Sequence, residues 1–393
     1  MKVMKKCLIG VFIIILSLSL TSCKKKDNNQ MYHDLKKVSQ YLYEITFDDY
    51  RYDTNLETLT NVEEFACSSA RNGNFYGRNF DFIYNDVPEF VVKVKAKEGR
   101  HASVGIAILS SIHANDNIEN QYMEKLELLP NSMLDGINDC GVICSDNVVP
   151  REDVAPITGT NPNGEDLHIS LIVRYVLDNA SSADEAIELL KARNIYGNVG
   201  EHYNLHFMIA DENKTYVVEF IDNKLVAEEK TGNEQIMTNY YVNLDSLTEN
   251  SAGVERYNII QQNYDEGNSF DGMWKLLQRV KYSNAYKSDY DNGWYSEFIT
   301  QSVISNFDNE QVKNEALKAF QDVKDGYWAA REKEQRNPAN MLYWLTTHNS
   351  TYDIAQRKLR VTVQEDYDNY YEYTLNNWNT TTQMQINRLL NLE

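Results

Sequence analysis

A chain of 393 residues, carrying 58 acidic against 38 basic side chains for a formal net charge of −20, is long enough to bury a substantial core as one large domain or a domain with a subsidiary lobe. Such an acidic chain repels phosphates and has no basic stripe, which argues against a nucleic-acid partner. No CxxC pair, HExxH or EF-hand loop occurs and the 7 histidines are scattered, so no metal and no cofactor is expected.

In chain order, Lys2, Lys5 and Lys6 precede an apolar stretch from Cys7 to Leu20. Roughly 14 residues fall short of the ~20 that a membrane-spanning helix needs. The stretch ends in Leu20-Thr21-Ser22-Cys23, which resembles a bacterial lipobox. Residues 1–22 are therefore expected to be a lipoprotein signal peptide. Cys23 is the expected lipidation site, on an exported protein held at the bacterial cell membrane and facing outside the cytoplasm. An ordinary secretory signal or a buried helix is the plainer alternative. Lys24, Lys25 and Lys26 either lie near anionic headgroups or form a solvated linker.

Residues 24–32 read as a polar tether, followed by a short helix around Leu35–Leu42 and aromatic segments at Tyr41–Phe47 and Tyr50–Tyr52. Strand patterns then dominate. Ala66–Ala70 and Phe75–Phe80 flank Arg71-Asn72-Gly73-Asn74, and Asn-Gly between such runs predicts a hairpin. Phe90–Val94 and Ala102–Leu109 predict further strands, and the run from Leu134 to Cys144 reads as a turn, then a strand. Helical spacing appears at Leu167–Leu177 and at Ser182–Arg193, the second capped by Ser181 or Ser182 with Glu185 in its first turn. A hairpin meander follows at Leu205–Ile209, Thr215–Phe220 and Leu225–Ala227, with another strand near Gln235–Tyr241. Residues 253–264 and much of 272–335, including Val312–Phe320, look helical and amphipathic. Strands return at Thr351–Ile354, Leu359–Val363 and Tyr370–Tyr373, where the tyrosines read as a sheet face. Hairpins dominate this order, so parallel βαβ units are not expected; two antiparallel sheets flanked by helices would bury the alternating runs.

Of the 5 cysteines, Cys7 leaves with the leader and Cys23 would be acylated. Cys67, Cys140 and Cys144 remain, an odd number that suggests one thiol kept free. If extended, Cys140 and Cys144 have Cα atoms ~13 Å apart, beyond disulfide reach, and both read as buried structural thiols. Cys67 is followed by Ser68 and Ser69, and Gly77-Arg78-Asn79-Phe80-Asp81 lies one hairpin away. Alternation would send Arg78 and Asn79 to opposite faces, and the hairpin could set Arg78 beside Cys67, where a guanidinium favours thiolate. A cysteine after Phe65 and Ala66 is otherwise a core residue.

Cys67 with Gly77-Arg78-Asn79-Phe80-Asp81 resembles the choloylglycine hydrolase family, linear-amide C–N hydrolases of the N-terminal-nucleophile superfamily. That family includes bile salt hydrolases and penicillin V acylases, with acid ceramidase as a relative. Four more segments match in order: Gly136–Val142 with Asn147 beyond it, Leu205–Asp211, Thr238-Asn239-Tyr240, and Ser251 through Glu255-Arg256-Tyr257. The resemblance implies a four-layer αββα sandwich of two antiparallel sheets flanked by helices, an α+β fold, over 67–393. It implies Cys67 as nucleophile, Arg78 beside the thiol, and Asp81 holding the freed α-amine. Asn239 is implied as side-chain oxyanion donor, Asn147 as donor through its backbone N–H, and Arg256 as a second arginine of the site. The plainer readings make Asp81 a partner of Arg78, Asn239 and Asp146-Asn147 turn residues, and Arg256 a solvated helix residue. His206, inside a strand pattern, reads as structural.

The implied activity is hydrolysis of linear amides in N-acyl substrates, such as a conjugated bile acid, through a cysteine thioester. The partner is then a small acyl-amide substrate, and the membrane through the N-terminal lipid. Residues 23–66 form the anchor, tether and propeptide, with cleavage between Ala66 and Cys67. Anchor and nucleophile fall on opposite sides of that cut, so the propeptide either stays packed against the body or the catalytic chain is released. Alternatives are an acyltransferase, in which an amine resolves the thioester, and a non-catalytic surface ligand-binding lipoprotein. The sequence leaves oligomeric state open, a homo-oligomer included.

Overall fold

The alternating runs of the sequence hydrogen-bond into two large sheets. The structure is a computed structural model that describes residues 31–53, 65–82, 87–150, 156–197, 203–244, 253–282, 345–375 and 385–390. The expected signal peptide, Cys23 and the helical pattern at Val312–Phe320 lie outside the described residues.

The nine-stranded sheet runs β1 (Tyr32–Lys37), β2 (Leu42–Phe47), β5 (Glu89–Val94), β6 (Ser103–Ile108), β7 (Met133–Asn138), β8 (Ile143–Pro150), β11 (Tyr203–Ala210), β12 (Thr215–Ile221) and β13 (Lys224–Glu229). The seven-stranded sheet runs β14 (Ile236–Met237), β3 (Phe65–Asn72), β4 (Phe75–Phe82), β15 (Leu345–Asp353), β16 (Lys358–Val363), β17 (Asn369–Thr374) and β18 (Gln385–Leu390). A short pair, β9 (Asp166–His168) and β10 (Asn194–Tyr196), stands apart. The described helices longer than one or two turns are α1 (Ile172–Asn179), α2 (Ala183–Lys191), α3 (Val254–Gln262) and α4 (Phe270–Arg279).

Period-two alternation makes each strand of the sandwich serve two cores. Phe90, Val92 and Val94 of β5 share a core with Ile172, Val176 and Leu177 of α1 and Ala186 and Leu190 of α2. Val91, between them in sequence, joins Val104, Ile106, Ile137 and Met208 against Tyr352, Leu359, Val361 and Tyr373 of the other sheet. On the far side, Ala70 and Ile236 pack with Ile260, Met273, Leu276 and Leu277 of α3 and α4. The order helix, sheet, sheet, helix is the expected four-layer α+β sandwich. Each fully buried large apolar side chain adds about 1.5–3 kcal/mol.

Local signals set the helix starts. Ser182 Oγ accepts the Glu185 N–H at 3.1 Å while Glu185 accepts the Ser181 N–H at 2.8 Å, closing α2 at its expected cap. Ser269 does the same for α4 through the Gly272 N–H at 3.0 Å.

Five expectations change. The run from Leu134 to Cys144 opens inside β7, turns after Asn138 and ends in β8, because Met133–Asn138 pairs with β6. The helix around Leu35–Leu42 is instead the end of β1, the link and the start of β2; Leu42–Phe47 is buried at every position, as a strand inserted between two neighbours must be. The pair β2–β5 is parallel, since the chain between them leaves to build β3 and β4 in the other sheet before returning. The helix at Leu167–Leu177 begins only at Ile172, because Asp166–His168 pairs with Asn194–Tyr196. The strand at Gln235–Tyr241 shortens to Ile236–Met237, after which the chain turns away. Tyr32–Glu393 forms one compact unit, and β1 and β2 of the expected propeptide lie in the same sheet as β5–β8. Among the described residues no helix is long and apolar enough to cross a membrane.

Candidate active site

The β3–β4 hairpin fixes the site's two faces. Cys67 stands opposite Phe80 and Ser69 opposite Arg78, while Ala66 stands opposite Asp81 and Ser68 opposite Asn79. Opposed residues share a face of a sheet, so Arg78 joins Cys67 on the side of the other sheet, as alternation predicted. Asp81 and Asn79 point to the helices. Gly77 is what lets α4 approach there, since a Cβ on it would lie 2.4 Å from Leu277 Cδ1.

On the inner face Arg78 Nη2 donates to Cys67 Sγ at 3.4 Å and to Asp146 Oδ1 at 3.0 Å, and its Nε donates to the Asp146 carbonyl at 3.0 Å. Its Nη1 reaches Asp135 Oδ2 at 3.3 Å. Behind it His348 Nε2 lies 3.2 Å from the same Asp135 oxygen, and Nδ1 lies 3.1 Å from Glu89 Oε2. Tyr352 donates its hydroxyl to Asp135. Arg78, Asp135 and His348 are wholly buried. Unpaired charges there would be untenable, so each ion is held by its neighbours.

On the outer face Arg256 gathers the backbone around the thiol. Its Nη1 donates to the Cys67 carbonyl at 2.6 Å, to Ser68 Oγ at 2.9 Å and to Asp81 Oδ2 at 3.1 Å, and its Nη2 donates to Asn239 Oδ1 at 2.6 Å. Gly253, with φ +76°, begins the helix that carries it. Asn239 Oδ1 also accepts the Cys67 N–H at 2.9 Å, and its Nδ2 donates to the Val148 carbonyl at 2.9 Å. Asn147 sits one step back. Its Oδ1 accepts from Ser69 Oγ at 3.2 Å, and its Nδ2 donates to the Met237 and Thr238 carbonyls at 3.1 and 3.2 Å.

Burial governs protonation in this uncut chain. It pushes the Cys67 thiol up to about 12, against the pull of Arg78. Asp81 rises to about 7, mainly by burial, although Arg256 and the Thr346 hydroxyl favour its ionised form. Asp146 rises to about 7 for the same first reason, opposed by Arg78. Burial also raises Asp135, but the bond and charge of His348, with Arg78, outweigh it and hold the carboxyl low. His348 moves up to about 9 because Glu89 and Asp135 overcome the cost of burying its charge.

All six residues expected at the site thus meet around Cys67, five of them by direct contact with it or with one another and Asn147 through Ser69. The plainer readings fail for three. Asp81 pairs with Arg256 and Thr346 rather than Arg78, Arg256 is buried rather than solvated, and Asp146-Asn147 lies inside β8 rather than in a turn. Asn239 does sit in a bend. His206 links Glu219 to the Thr238 carbonyl, Nε2 lying 2.8 Å from that oxygen, and so positions the Asn239 segment.

Sequence reading missed Glu89, Asp135, Asp146 and His348. Their one signal is a charged residue at a core-facing strand position. An open cleft lined by Ile259, Asn263, Glu266, Lys275 and Arg279 lies on the outer helices and contains none of the residues that meet at Cys67.

The family model for acyl-coenzyme A:6-aminopenicillanic acid acyl-transferase matches residues 68–368, beginning one residue after Cys67. Among solved structures, a mutant conjugated bile acid hydrolase from Clostridium perfringens is 15% identical with a TM-score of 0.41, over 84% of this chain and 99% of that one. Penicillin V acylase from Agrobacterium tumefaciens is 13% identical with a TM-score of 0.33, over 76% and 82%. No curated protein matches the sequence.

Proposed function

The chain belongs to the acyl-coenzyme A:6-aminopenicillanic acid acyl-transferase family, and from that premise we propose that it is a cysteine amidase made as a precursor and activated by scission before Cys67. The observation that carries this reading is the Cys67 thiol 3.4 Å from Arg78, with its own N–H and carbonyl held by Asn239 and Arg256. In the uncut chain the thiol is protonated and fully buried, so the precursor is inactive toward added substrate.

Activation proceeds by attack of Cys67 Sγ on the Ala66 carbonyl carbon. The C–N bond breaks as a thioester forms, and the leaving amine takes the thiol proton. Water then hydrolyses the thioester, leaving an Ala66 carboxylate and a free thiol and amine on Cys67. The new α-amine, with a reference pKa of about 7.7, supplies the base that the buried thiol lacks. Asp81 lies opposite Ala66, where the cut is made, and orients that amine.

In turnover the amine accepts the thiol proton, the thiolate attacks a linear amide carbonyl, and the proton passes to the departing amine. Asn239, once released from its precursor contacts, and the Asn147 backbone N–H serve as oxyanion donors, each worth ~2.7–4 kcal/mol when well placed. Water resolves the thioester in a hydrolase; a second amine resolves it in an acyl-transferase, the activity that the family's description names. The substrate class is an acyl group on a small amine.

This reading includes export and lipidation at Cys23. It also has β1 and β2 remain in the sheet after scission, so that the prosegment tethers the catalytic chain without a covalent bond. An acyl-amide panel assayed alongside N-terminal sequencing of the active species tests the proposal. Activity should belong to protein beginning at Cys67. Turnover by protein with an intact Ala66–Cys67 bond, or equal turnover by Cys67→Ser, would reject it.

A further inference from the structure

Remote in the sequence from Cys67, the turn between β7 and β8 meets the segment leading into β6. His101, Asp139 and Cys140 bring a nitrogen, a carboxylate oxygen and a sulfur within 4.8 Å of one another. His101 Nδ1 lies 3.0 Å from Asp139 Oδ1 and 3.5 Å from Cys140 Sγ, which is 3.9 Å from Nε2. Cys140 is half-buried rather than the fully buried structural thiol expected from sequence, because the turn carries it out of the core beside His101.

We infer that His101, Asp139 and Cys140 form a binding site for a divalent transition-metal ion of the zinc class. Zinc bonds of about 2.0–2.3 Å in tetrahedral geometry set donor atoms about 3.3–3.8 Å apart, and the 3.0 and 3.5 Å separations from His101 Nδ1 lie close to that range. The mixed sulfur, nitrogen and oxygen set suits zinc; calcium and magnesium require oxygen donors.

The neighbours of the donors support the same reading. His101 Nε2 lies 3.2 Å from Ser181 Oγ, and with the ion bound it would donate to that hydroxyl and leave Nδ1 to the metal. Asp139 Oδ2 accepts the Ala102 N–H at 3.2 Å, while its buried Oδ1 makes no hydrogen bond. Such outer partners orient metal-binding histidines and carboxylates. The turn itself is fixed: Asn138 Oδ1 accepts the Cys140 and Val142 N–H groups, and Arg357 donates to the Asp139 and Cys140 carbonyls. Binding replaces the thiol proton with the metal, and water fills the fourth position. The ion would clamp the turn joining the strands that carry Asp135 and Asp146, and this inference does not rest on the catalytic reading.

The test is titration of Co(II) into purified full-length Cys67→Ala protein, which removes the candidate nucleophile as a competing thiol. One equivalent should bind with a thiolate-to-cobalt charge-transfer band that zinc displaces. Cys140→Ser should abolish the band, His101→Ala should abolish stoichiometric binding, and Ser181→Ala should weaken affinity about 10–100-fold. Zinc should raise the melting temperature of the parent but not of Cys140→Ser, and metal-free melting provides the folding check. A parent that takes up no cobalt, or a band that survives in Cys140→Ser, would overturn the site.

Discussion

Replacing His348 with glutamine tests the charge network behind Arg78. The imidazole faces Glu89 on one side and Asp135 on the other, with Arg78 Nη1 3.3 Å away and the Phe80 ring stacked against it. Its pKa rises from 6.5 to about 9 in the folded protein, and at about 1.4 kcal/mol per unit the protonated form contributes about 3 kcal/mol. The sign follows from proton counting. Between pH 6.5 and 9 the folded chain holds one more proton at His348 than the unfolded chain, so stability falls as pH rises. The contribution is complete below pH 6.5 and gone above 9. Urea denaturation of the Cys67→Ala protein, which stays one chain and so keeps a two-state reading meaningful, should show this loss between pH 6.5 and 9. The difference between Cys67→Ala protein with His348 and with His348→Gln should shrink over the same window. A difference independent of pH, or a His348 resonance titrating near 6.5, would refute the network. The resonance keeps the test decisive if the variant does not fold.

Other outcomes follow from the same contacts. Cys67→Ala should remain a single uncut chain by intact mass, whereas wild-type protein should yield a fragment beginning at Cys67. After scission, the fragment containing β1 and β2 should co-elute with the catalytic chain on gel filtration until denaturant is added. Phe47→Ala, at a fully buried position of β2, should cost about 3–5 kcal/mol and release that fragment. With the freed α-amine needed as a neutral base of reference pKa about 7.7, kcat/KM should rise with pH from 6 to 8. A flat profile would remove the amine from the rate-determining chemistry.

What the sequence by itself determined is local. Asn-Gly between two alternating runs produced the β3–β4 hairpin, and its register alone put Arg78 on the face of Cys67. Ser182 and Glu185 closed a helix start through bonds spanning only a few residues. The periodicities of 2 and 3.6 supplied both sheets and the helices that cover them. They misread Leu35–Leu42 because a short apolar run carries either period, and only its neighbours β1 and β5 make it a strand.

Tertiary structure decided the rest of the site. Asn239 lies 172 residues from Cys67 and Arg256 lies 189 residues from it; family-like motifs could name both, but no spacing rule could place them. Nothing local distinguished Asp135 or His348 from any polar residue in a strand. They became a charged pair behind Arg78 only when stacking the two sheets removed water from all three, leaving each ion to be neutralised by the others. Cys140 shows the converse: its apolar surroundings in sequence suggest a core thiol, yet the turn at Gly141 carries it out of the core beside His101. Side-chain period tells which face a residue takes; only the layer packed against that face decides what it meets.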